Sequence, residues 1–574
     1  MSESKSLLSE YSSDSDVETA KANTSRIEKP SEDSREDWGN KLEFTLTVLG
    51  LAVGLGNIWR FPILAYHNGG SAFLFPYLCC SLFFALPVLY LEFVVGQYHR
   101  KSAHGVFNSI SPVFDGVGWF MQVAMTQYTI FYMVIISWCA VCFLGVLRGH
   151  SFLWTHCDNQ WNNLTTCYDS RSYTYCDLEK SNYTVADNVT RFFYSNGECL
   201  DIRLFENTTM MSATEEYFNN YVVAPSEGFL DINTMNWYTL ITSGVLWAMV
   251  SLILLKGVVV LGKSSYVTVP LPYIILVVLV IRAITLPGAD LGVYFFLAQP
   301  DFSKLLLLKT WFEALKQTCF SINLGCGAMI SLSSYNKKSN NCFRDALIVV
   351  MGDTCMSLIG GVAVFSVLGF LAEQRNVPIT RFALAFSVYP ETMAMIPLPL
   401  VWSFLFYLML LMLGFSTQAA ITEVLCTMIN DVFPATKRSR TIFVPVFCFI
   451  LFCAGSILCT DAGIYWLSMV DTYTSGPPAI VGVVLEMIIL SYFYGLKNLR
   501  NDIREMFGRG SLIDRIVGSH SPYFLFAWAV TCPICGVIIL TVFMFGDNQN
   551  QKLEEHPAAF KVLFRQKCLS NFVK

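Results

Sequence analysis

The chain alternates between long apolar runs and short polar segments along most of its length. Eleven runs are long enough to cross a hydrocarbon layer of about 30 Å, which takes about 20 residues of helix. They cover residues 40–66, 71–97, 116–148, 236–254, 262–286, 309–334, 343–371, 395–429, 441–458, 461–494 and 522–545. Lipid offers the backbone no hydrogen-bond partners, so runs of this length favour helices. The pattern predicts an all-α integral membrane protein.

The polar segments between the runs differ in charge. Lys and Arg gather at 100–101, 337–344, 437–440 and 497–515, and such segments face the cytoplasm. This orientation places the N-terminus inside the cell and the long loop 149–235 outside. Four N-glycosylation sequons fit an external loop. They begin at Asn163, Asn182, Asn188 and Asn207.

Four of the 19 cysteines share that loop: Cys157, Cys167, Cys176 and Cys199. An oxidising compartment permits disulfides there, and we favour the pair Cys157–Cys167. No cysteine or histidine cluster has the spacing of a zinc site.

Composition agrees with lipid as the solvent. Charged residues make up 14% of the chain, against about 25% in soluble domains, and the mean hydropathy is +0.49. The net charge of −5 is concentrated in residues 1–37, which hold ten acidic and five basic residues and read as a disordered tail. No basic stripe points to nucleic acid. No nucleophile–base pair or phosphate loop points to an enzyme.

Glycines interrupt two runs at similar depth, Gly50, Gly54 and Gly56 in the first and Gly325 and Gly327 in the sixth. Each Gly weakens a helix by about 1 kcal/mol relative to Ala. Unwound backbone at membrane depth is tolerated where it lines a cavity, and there it can hold ions and substrate. The spacing predicts two repeats of five helices; the alternative is that these glycines only allow close helix packing.

We single out three of the ionisable residues inside apolar runs: Asp353, Asp471 and Glu486. Such residues are costly in a bilayer and are functional candidates. For Asp353 we expect a functional role, with a simple interhelical hydrogen bond as the alternative. For Glu486 we expect that structural hydrogen bond.

Four strings resemble the neurotransmitter:sodium symporters, also called solute carrier family 6. They are Arg35-Glu-Asp-Trp38-Gly, Ala52-Val-Gly-Leu-Gly-Asn-Ile-Trp-Arg-Phe-Pro62, Asn68-Gly-Gly-Ser-Ala-Phe-Leu-Phe-Pro-Tyr77 and Ser334-Tyr-Asn-Lys337. The resemblance covers about residues 35–545 and implies an inverted five-plus-five helix core with broken helices 1 and 6. The family has twelve spans, so this chain lacks the usual twelfth or is a truncated form.

The resemblance also implies a division of the chain. Residues 1–37 are the cytoplasmic tail, 38–494 the ten-helix core with the loop 149–235, 495–545 a cytoplasmic loop with span 11, and 546–574 a polar tail.

Ion sites are implied by the same resemblance. The first sodium site maps to the Ala52 carbonyl, Asn57, Ser321 and Asp353. The second maps to the carbonyls of Gly50, Val53 and Leu413 and the hydroxyls of Ser416 and Thr417. The chloride site maps to Tyr77, Gln317, Ser321 and Ser357.

The implied substrate site lies between the two broken helices. It maps to Ala52, Gly54, Leu55, Gly56, Tyr128, Tyr132, Phe320, Ser321, Asn323, Cys326, Thr417 and Ile421. The implied outer gate is Arg60 with Asp471, and the implied inner gate is Arg35 with Asp431, near Trp38 and Tyr335.

Three positions distinguish this chain among the proteins that it resembles. Monoamine carriers have Asp where Gly54 stands, and a Gly leaves room for the substrate's own carboxylate. Most members have Asn where Asp353 stands, and many animal members have Asp where Ser416 stands. This pattern looks like the invertebrate nutrient amino-acid branch. A carboxylate at the first sodium site strengthens cation binding and repels chloride, so we expect weak chloride dependence and altered selectivity between sodium and potassium.

The predicted function is a plasma-membrane symporter that imports neutral amino acids by alternating access, driven by sodium or potassium. The alternatives are a carrier for GABA, glycine or betaine and a non-transporting accessory membrane protein. The predicted partners are an amino-acid substrate and the lipid bilayer; an accessory subunit or a homo-oligomer stays open.

Overall fold

A computed structural model describes residues 35–149, 153–163, 167–168, 192–195, 198–201, 211–226, 228–375, 388–474, 476–507 and 521–545. The helical body begins at Trp38. Within the described ranges it consists of helices and four short strands.

Nine helices among the described residues are long and apolar enough to cross a membrane without interruption. They are Ser71–His99 (span 2), Pro112–Leu147 (span 3), Trp237–Leu254 (span 4), Val258–Ile284 (span 5), Cys342–Gln374 (span 7), Pro399–Val432 (span 8), Arg440–Cys459 (span 9), Pro477–Phe507 (span 10) and Pro522–Val542 (span 11). Short helices connect them at Ala103–Ile110, Ala213–Glu216, Ala289–Leu297, Val388–Met395 and Pro434–Arg438. The protein is thus an all-α membrane protein, as predicted.

Span 1 is broken where its glycines predicted. The side chain of Asn40 caps the first helix, Lys41–Ala52, by accepting hydrogen bonds from the backbone N–H groups of Leu42 and Glu43. The helix ends because the next residue, Val53, takes an extended conformation. It resumes with Leu55–Ile58 and Arg60–His67, and the two halves meet at an angle of 51°.

Span 6 is broken in the same way. Leu308–Ile322 ends at Asn323, which has a left-handed backbone with φ of 57°. Gly325 and Gly327 are also left-handed, with φ of 68° and 71°. Glycine adopts this conformation without strain, and Asn tolerates it better than most residues. The span resumes with Ala328–Ser333, so its two pieces are individually shorter than a membrane span.

Two predicted boundaries were wrong. The run 461–494 is not one helix: Gly463–Thr474 is followed by a separate helix from Pro477, because proline has no N–H for a continuing helix but fits a first turn. Span 8 begins at Pro399 rather than 395, since Leu398 is left-handed with φ of 61°.

The loop between spans 3 and 4 contains the strands. β1 (Cys167–Tyr168) pairs in parallel with β4 (Met211–Ser212), and β2 (Phe192–Ser195) pairs antiparallel with β3 (Glu198–Asp201). The predicted disulfide Cys157–Cys167 is present. Asn163 is exposed, whereas the predicted glycosylation sites Asn182, Asn188 and Asn207 lie outside the described residues.

The burial pattern separates an inner group of spans from an outer one. Most of the first helix of span 1 is buried, as is much of span 3. Spans 4 and 9 expose apolar side chains such as Leu252, 67% exposed, and Phe449, 63% exposed. Outer helices with apolar exposed faces fit a protein dissolved in lipid.

Candidate functional site

The break in span 1 faces an aromatic wall. The backbone N–H of Leu55 donates a hydrogen bond to the hydroxyl oxygen of Tyr132 (3.3 Å). The ring of Tyr128 stacks on Tyr132, with centroids 5.2 Å apart, and meets Phe320 edge-on at 5.4 Å. These contacts bring spans 1, 3 and 6 together around the break.

Gly54 lies where no side chain fits without displacing its neighbours. A Cβ on Gly54 would lie 2.9 Å from the Tyr132 hydroxyl and 3.1 Å from the Thr417 hydroxyl. A Cβ on Gly56 would lie 3.2 Å from the ring of Phe320. The backbone of span 1 therefore approaches the polar groups of spans 3 and 8 directly.

Two other predicted substrate residues, Asn323 and Ser321, contact the backbone of span 1 just before its break. The side-chain amide of Asn323 donates to the Leu51 carbonyl (3.3 Å), and the hydroxyl of Ser321 lies 3.5 Å from the Ala52 carbonyl. Ile421 is buried one helical turn beyond Thr417, and Cys326, three residues after Asn323, is partly buried. The substrate role of the whole set stays a prediction.

The first predicted cation set forms one connected cluster. Asp353 Oδ1 accepts hydrogen bonds from the Ser321 hydroxyl (2.5 Å) and the Asn57 amide (2.7 Å). Asn57 Oδ1 accepts from the backbone N–H of Gly54 (3.1 Å). With the Ala52 carbonyl, the set offers carbonyl, amide, hydroxyl and carboxylate oxygens, which are the ligands that a hard cation prefers. The residues present therefore fit a sodium ion.

The second predicted cation set lies between spans 1 and 8. The hydroxyl of Thr417 lies 2.9 Å from the Gly50 carbonyl and 3.2 Å from the Leu413 carbonyl. The hydroxyl of Ser416 lies 3.2 Å and 3.0 Å from the same two oxygens. Val53 follows at the end of the helix. These neutral oxygens also fit an alkali cation.

Two of the four predicted chloride ligands, Tyr77 and Ser321, contact Asp353. The hydroxyl of Tyr77 lies 3.0 Å from Ser357 Oγ and 3.4 Å from Asp353 Oδ2, and Ser321 donates to the same carboxylate. The side-chain amide of Gln317 donates to the Gly56 carbonyl (3.4 Å). A carboxylate thus accepts the hydrogen bonds that a chloride ion would need.

The predicted gates lie at the two ends of span 1. Arg60 Nη1 is 3.7 Å from Asp471 Oδ1, and its guanidinium lies 4.5 Å above the centre of the Phe320 ring. At the other end, the backbone N–H of Trp38 donates to the Tyr335 carbonyl (3.2 Å). Arg35 belongs to the N-terminal unit, so its pairing with Asp431 stays a prediction.

Several polar contacts were missed from the sequence. Tyr335 shares a hydrogen bond with Thr427 (2.7 Å). Lys41 lies 3.5 Å from the buried Asp345, and Glu92, inside the second apolar run, accepts a hydrogen bond from the backbone of Gly325 (2.7 Å). Glu92 carries the same signal that identified Asp353, an ionisable residue in an apolar run.

The interpretation of Glu486 was wrong. Its side chain is fully buried, but among the described residues neither carboxyl oxygen has a hydrogen-bond partner. The residue therefore does not form the expected interhelical hydrogen bond.

Comparison with known proteins agrees with this geometry. Residues 35–570 match the model of the sodium:neurotransmitter symporter family. The chain is 43% identical over 525 residues to the sodium-dependent transporter snf-5 of Caenorhabditis elegans, covering 89% of this chain and 71% of that protein.

Two proteins of Xenopus laevis are also similar. The chain is 35% identical to sodium- and chloride-dependent glycine transporter 2 over 498 residues, covering 83% of this chain and 61% of that protein. It is 36% identical to sodium- and chloride-dependent glycine transporter 1 over 486 residues, covering 83% and 74%. The chain belongs to the sodium:neurotransmitter symporter family, whose members are membrane transporters and not enzymes.

Proposed function

We propose that the protein imports a neutral amino acid across the plasma membrane, driven by sodium and with little need for chloride. The observation that carries the substrate class is Gly54 between the hydroxyls of Tyr132 and Thr417. With glycine at this helix break, the protein places no carboxylate of its own here, so the carboxylate can come from the substrate.

The groups around Gly54 support a zwitterionic substrate. The backbone N–H of Leu55 and the hydroxyl of Tyr132 are hydrogen-bond donors suited to a carboxylate, and the N-terminus of a helix favours a negative charge. The carbonyls of Ala52 and Phe320 are acceptors for an ammonium group. An Asp at position 54 would instead supply the negative charge that a monoamine lacks.

The walls of the site support a neutral side chain on the substrate. Tyr128, Asn323, Cys326 and Ile421 carry no formal charge at neutral pH. A charged substrate side chain would be buried among them without a partner, which is costly.

The ion requirement follows from the surroundings of Asp353. Its carboxylate adds a full negative charge to the first cation set, which strengthens cation binding at low effective dielectric. The same charge accepts hydrogen bonds from the Tyr77 and Ser321 hydroxyls, so it opposes chloride. We propose weak chloride dependence and a cation selectivity in which potassium partly replaces sodium.

Transport would follow alternating access around the two breaks. Arg60 contacts Asp471 and Phe320 beyond the break, and Trp38 contacts Tyr335 before it; we take these contacts as the two gates. We assign Arg60 to the outside and Trp38 to the cytoplasm, with the N-terminus inside, as the distribution of Lys and Arg favours.

Electrophysiology in a heterologous cell tests this proposal. Neutral amino acids, glycine, GABA, betaine and monoamines would be applied while sodium, potassium and chloride are exchanged in turn. We expect inward currents with neutral amino acids that need an alkali cation and persist without chloride. Currents confined to monoamines or GABA would refute the substrate class, and a protein silent at the cell surface would favour a non-transporting role.

Glycine is the second candidate substrate, because two similar proteins carry glycine transporter in their names. Competition separates the candidates: a glycine carrier is not inhibited by leucine, methionine or phenylalanine, whereas a broad neutral carrier is. Gly54→Asp serves as a matched variant, since the new carboxylate should abolish currents with every amino acid.

A further inference from the structure

Two carboxyl groups meet beside the break in span 6, outside the predicted ion and substrate sets. Glu92 of span 2 and Glu486 of span 10 are both fully buried. Glu486 is close enough to interact electrostatically with Glu92, and both act on the thiol of Cys326. The pair therefore lies next to the wall of the predicted substrate site.

Hydrogen bonds leave most of this pair unsatisfied. Glu92 Oε1 accepts from the backbone N–H of Gly325 (2.7 Å). Glu92 Oε2 and both oxygens of Glu486 have no hydrogen-bond partner among the described residues. A buried carboxylate is normally paired or hydrogen-bonded, so three such oxygens in one place indicate that the pair holds a ligand.

No cation among the described residues compensates the charge. Within the described chain, neither carboxyl forms a salt bridge with Lys, Arg or His. Among the described residues, the titratable groups that interact with the pair are the thiols of Cys319 and Cys326 on span 6. Those thiols interact in turn with Cys80 of span 2, Cys532 of span 11 and Tyr128 of span 3, none of which is a cation. Two adjacent buried carboxyls without a counter-charge cannot both be ionised.

The neighbours favour a proton over a metal ion as the ligand. An alkali or alkaline-earth cation takes about six to eight oxygen ligands. The other polar groups in the described contacts of this pair are one N–H donor and thiols, which are poor ligands for such cations. A proton needs only the carboxyl oxygens.

The pair is attached to the part of span 6 that changes direction. Gly325 packs so closely on span 10 that a Cβ on it or on Gly482 would collide with the backbone of the other span. Glu486 follows Gly482 by one helical turn. Reorientation of the break in span 6 would therefore change the hydrogen bond to Glu92 and the surroundings of both carboxyls.

We propose that Glu92 and Glu486 form a proton-binding site whose occupancy changes with the conformation of the span 6 break. Because Ser321 of the first cation set lies on the same span, binding of sodium and of this proton are linked, and each changes the affinity for the other. The site is separate from the proposed amino-acid site and does not depend on the substrate assignment.

Proton counting on the purified full-length protein tests the proposal. Sodium chloride, or choline chloride as the blank, is added to weakly buffered protein in detergent with a pH-indicator dye. We expect sodium binding to change the number of bound protons by up to about one per wild-type molecule. Glu486→Gln should lower this change in proton number at least tenfold. Glu313→Gln, on span 6 but beside Lys316, is the matched control and should leave the exchange unchanged.

Infrared spectroscopy gives a second readout that needs no transport. The wild type at neutral pH should show the carbonyl stretch of a protonated buried carboxyl, and sodium should shift it. Glu486→Gln should lose that band, and Glu92→Gln should shift it because the neighbouring carboxyl is gone; Glu486→Leu replaces Glu486→Gln if the latter does not elute as a monodisperse protein. A wild type without the band, or proton exchange that persists in both Gln variants, overturns the proposal. Neither result bears on the amino-acid substrate.

Discussion

Replacing Asp353 with Asn removes one negative charge beside the predicted anion site and leaves the side-chain volume almost unchanged. Asp353 Oδ2 lies 3.4 Å from the Tyr77 hydroxyl, and an anion bound to that hydroxyl sits about 3 Å from it. The carboxylate and a chloride ion would then be about 5 Å apart. Their repulsion is about 3 kcal/mol at an effective dielectric of about 20, which corresponds to chloride binding weakened on the order of a hundredfold.

The assay is uptake of a labelled neutral amino acid while chloride is replaced stepwise by gluconate at constant sodium. The wild type should show a flat response, and Asp353→Asn should show saturable dependence on chloride. Asp345→Asn is the control, because Asp345 lies on the same span but pairs with Lys41; it should stay chloride-independent whatever its rate. A flat response in Asp353→Asn would refute the argument that this carboxylate takes the place of chloride.

Three further changes give separate tests. Gly54→Ala places a methyl group 2.9 Å from the Tyr132 hydroxyl, so the substrate concentration for half-maximal current should rise about tenfold or more, since overpacking costs about 1–3 kcal/mol; an unchanged value would contradict the location of the site. Trp38→Ala removes a buried ring from the end of span 1. In the double variant with Ser334→Cys, a permeant thiol reagent should modify the new cysteine several-fold faster than it does in Ser334→Cys alone. Cys157→Ser opens a disulfide with a sequence separation of 10, which should destabilise the outer loop by about 2–3 kcal/mol and lower the amount of protein detected by surface biotinylation, with no effect in Cys453→Ser.

The spans and the two breaks could be predicted because their causes are local. A run of apolar residues needs a helix wherever it meets lipid, and Gly325 and Gly327 permit the left-handed backbone seen in span 6. The break before Pro477 also has a local signal, which is the proline itself. The prediction missed it because apolar residues continue on both sides of the proline. The start of span 8 depends on the conformation of Leu398, for which the residue type gives no signal.

The contacts between distant parts of the chain could be predicted only through the family resemblance. Asn57 and Asp353 are 296 residues apart and meet through one hydrogen bond, and no periodicity links them. Where the resemblance implied no partner, the prediction failed. Glu486 was expected to hydrogen-bond like an ordinary buried polar group, and Glu92 was not considered at all, although both stand in apolar runs.

The contact between Gly325 and Gly482 also limits how this transporter can change during evolution. A Cβ added at either glycine would collide with the backbone of the other span. Both positions therefore exclude every residue that has a side chain. If the proposed site binds the substrate, a lineage that adapts to a different substrate has to vary the predicted wall, at positions such as Tyr128, Cys326 and Ile421, and not the junction between spans 6 and 10. Substrate specificity can then change while the packing of span 6 against span 10 is preserved.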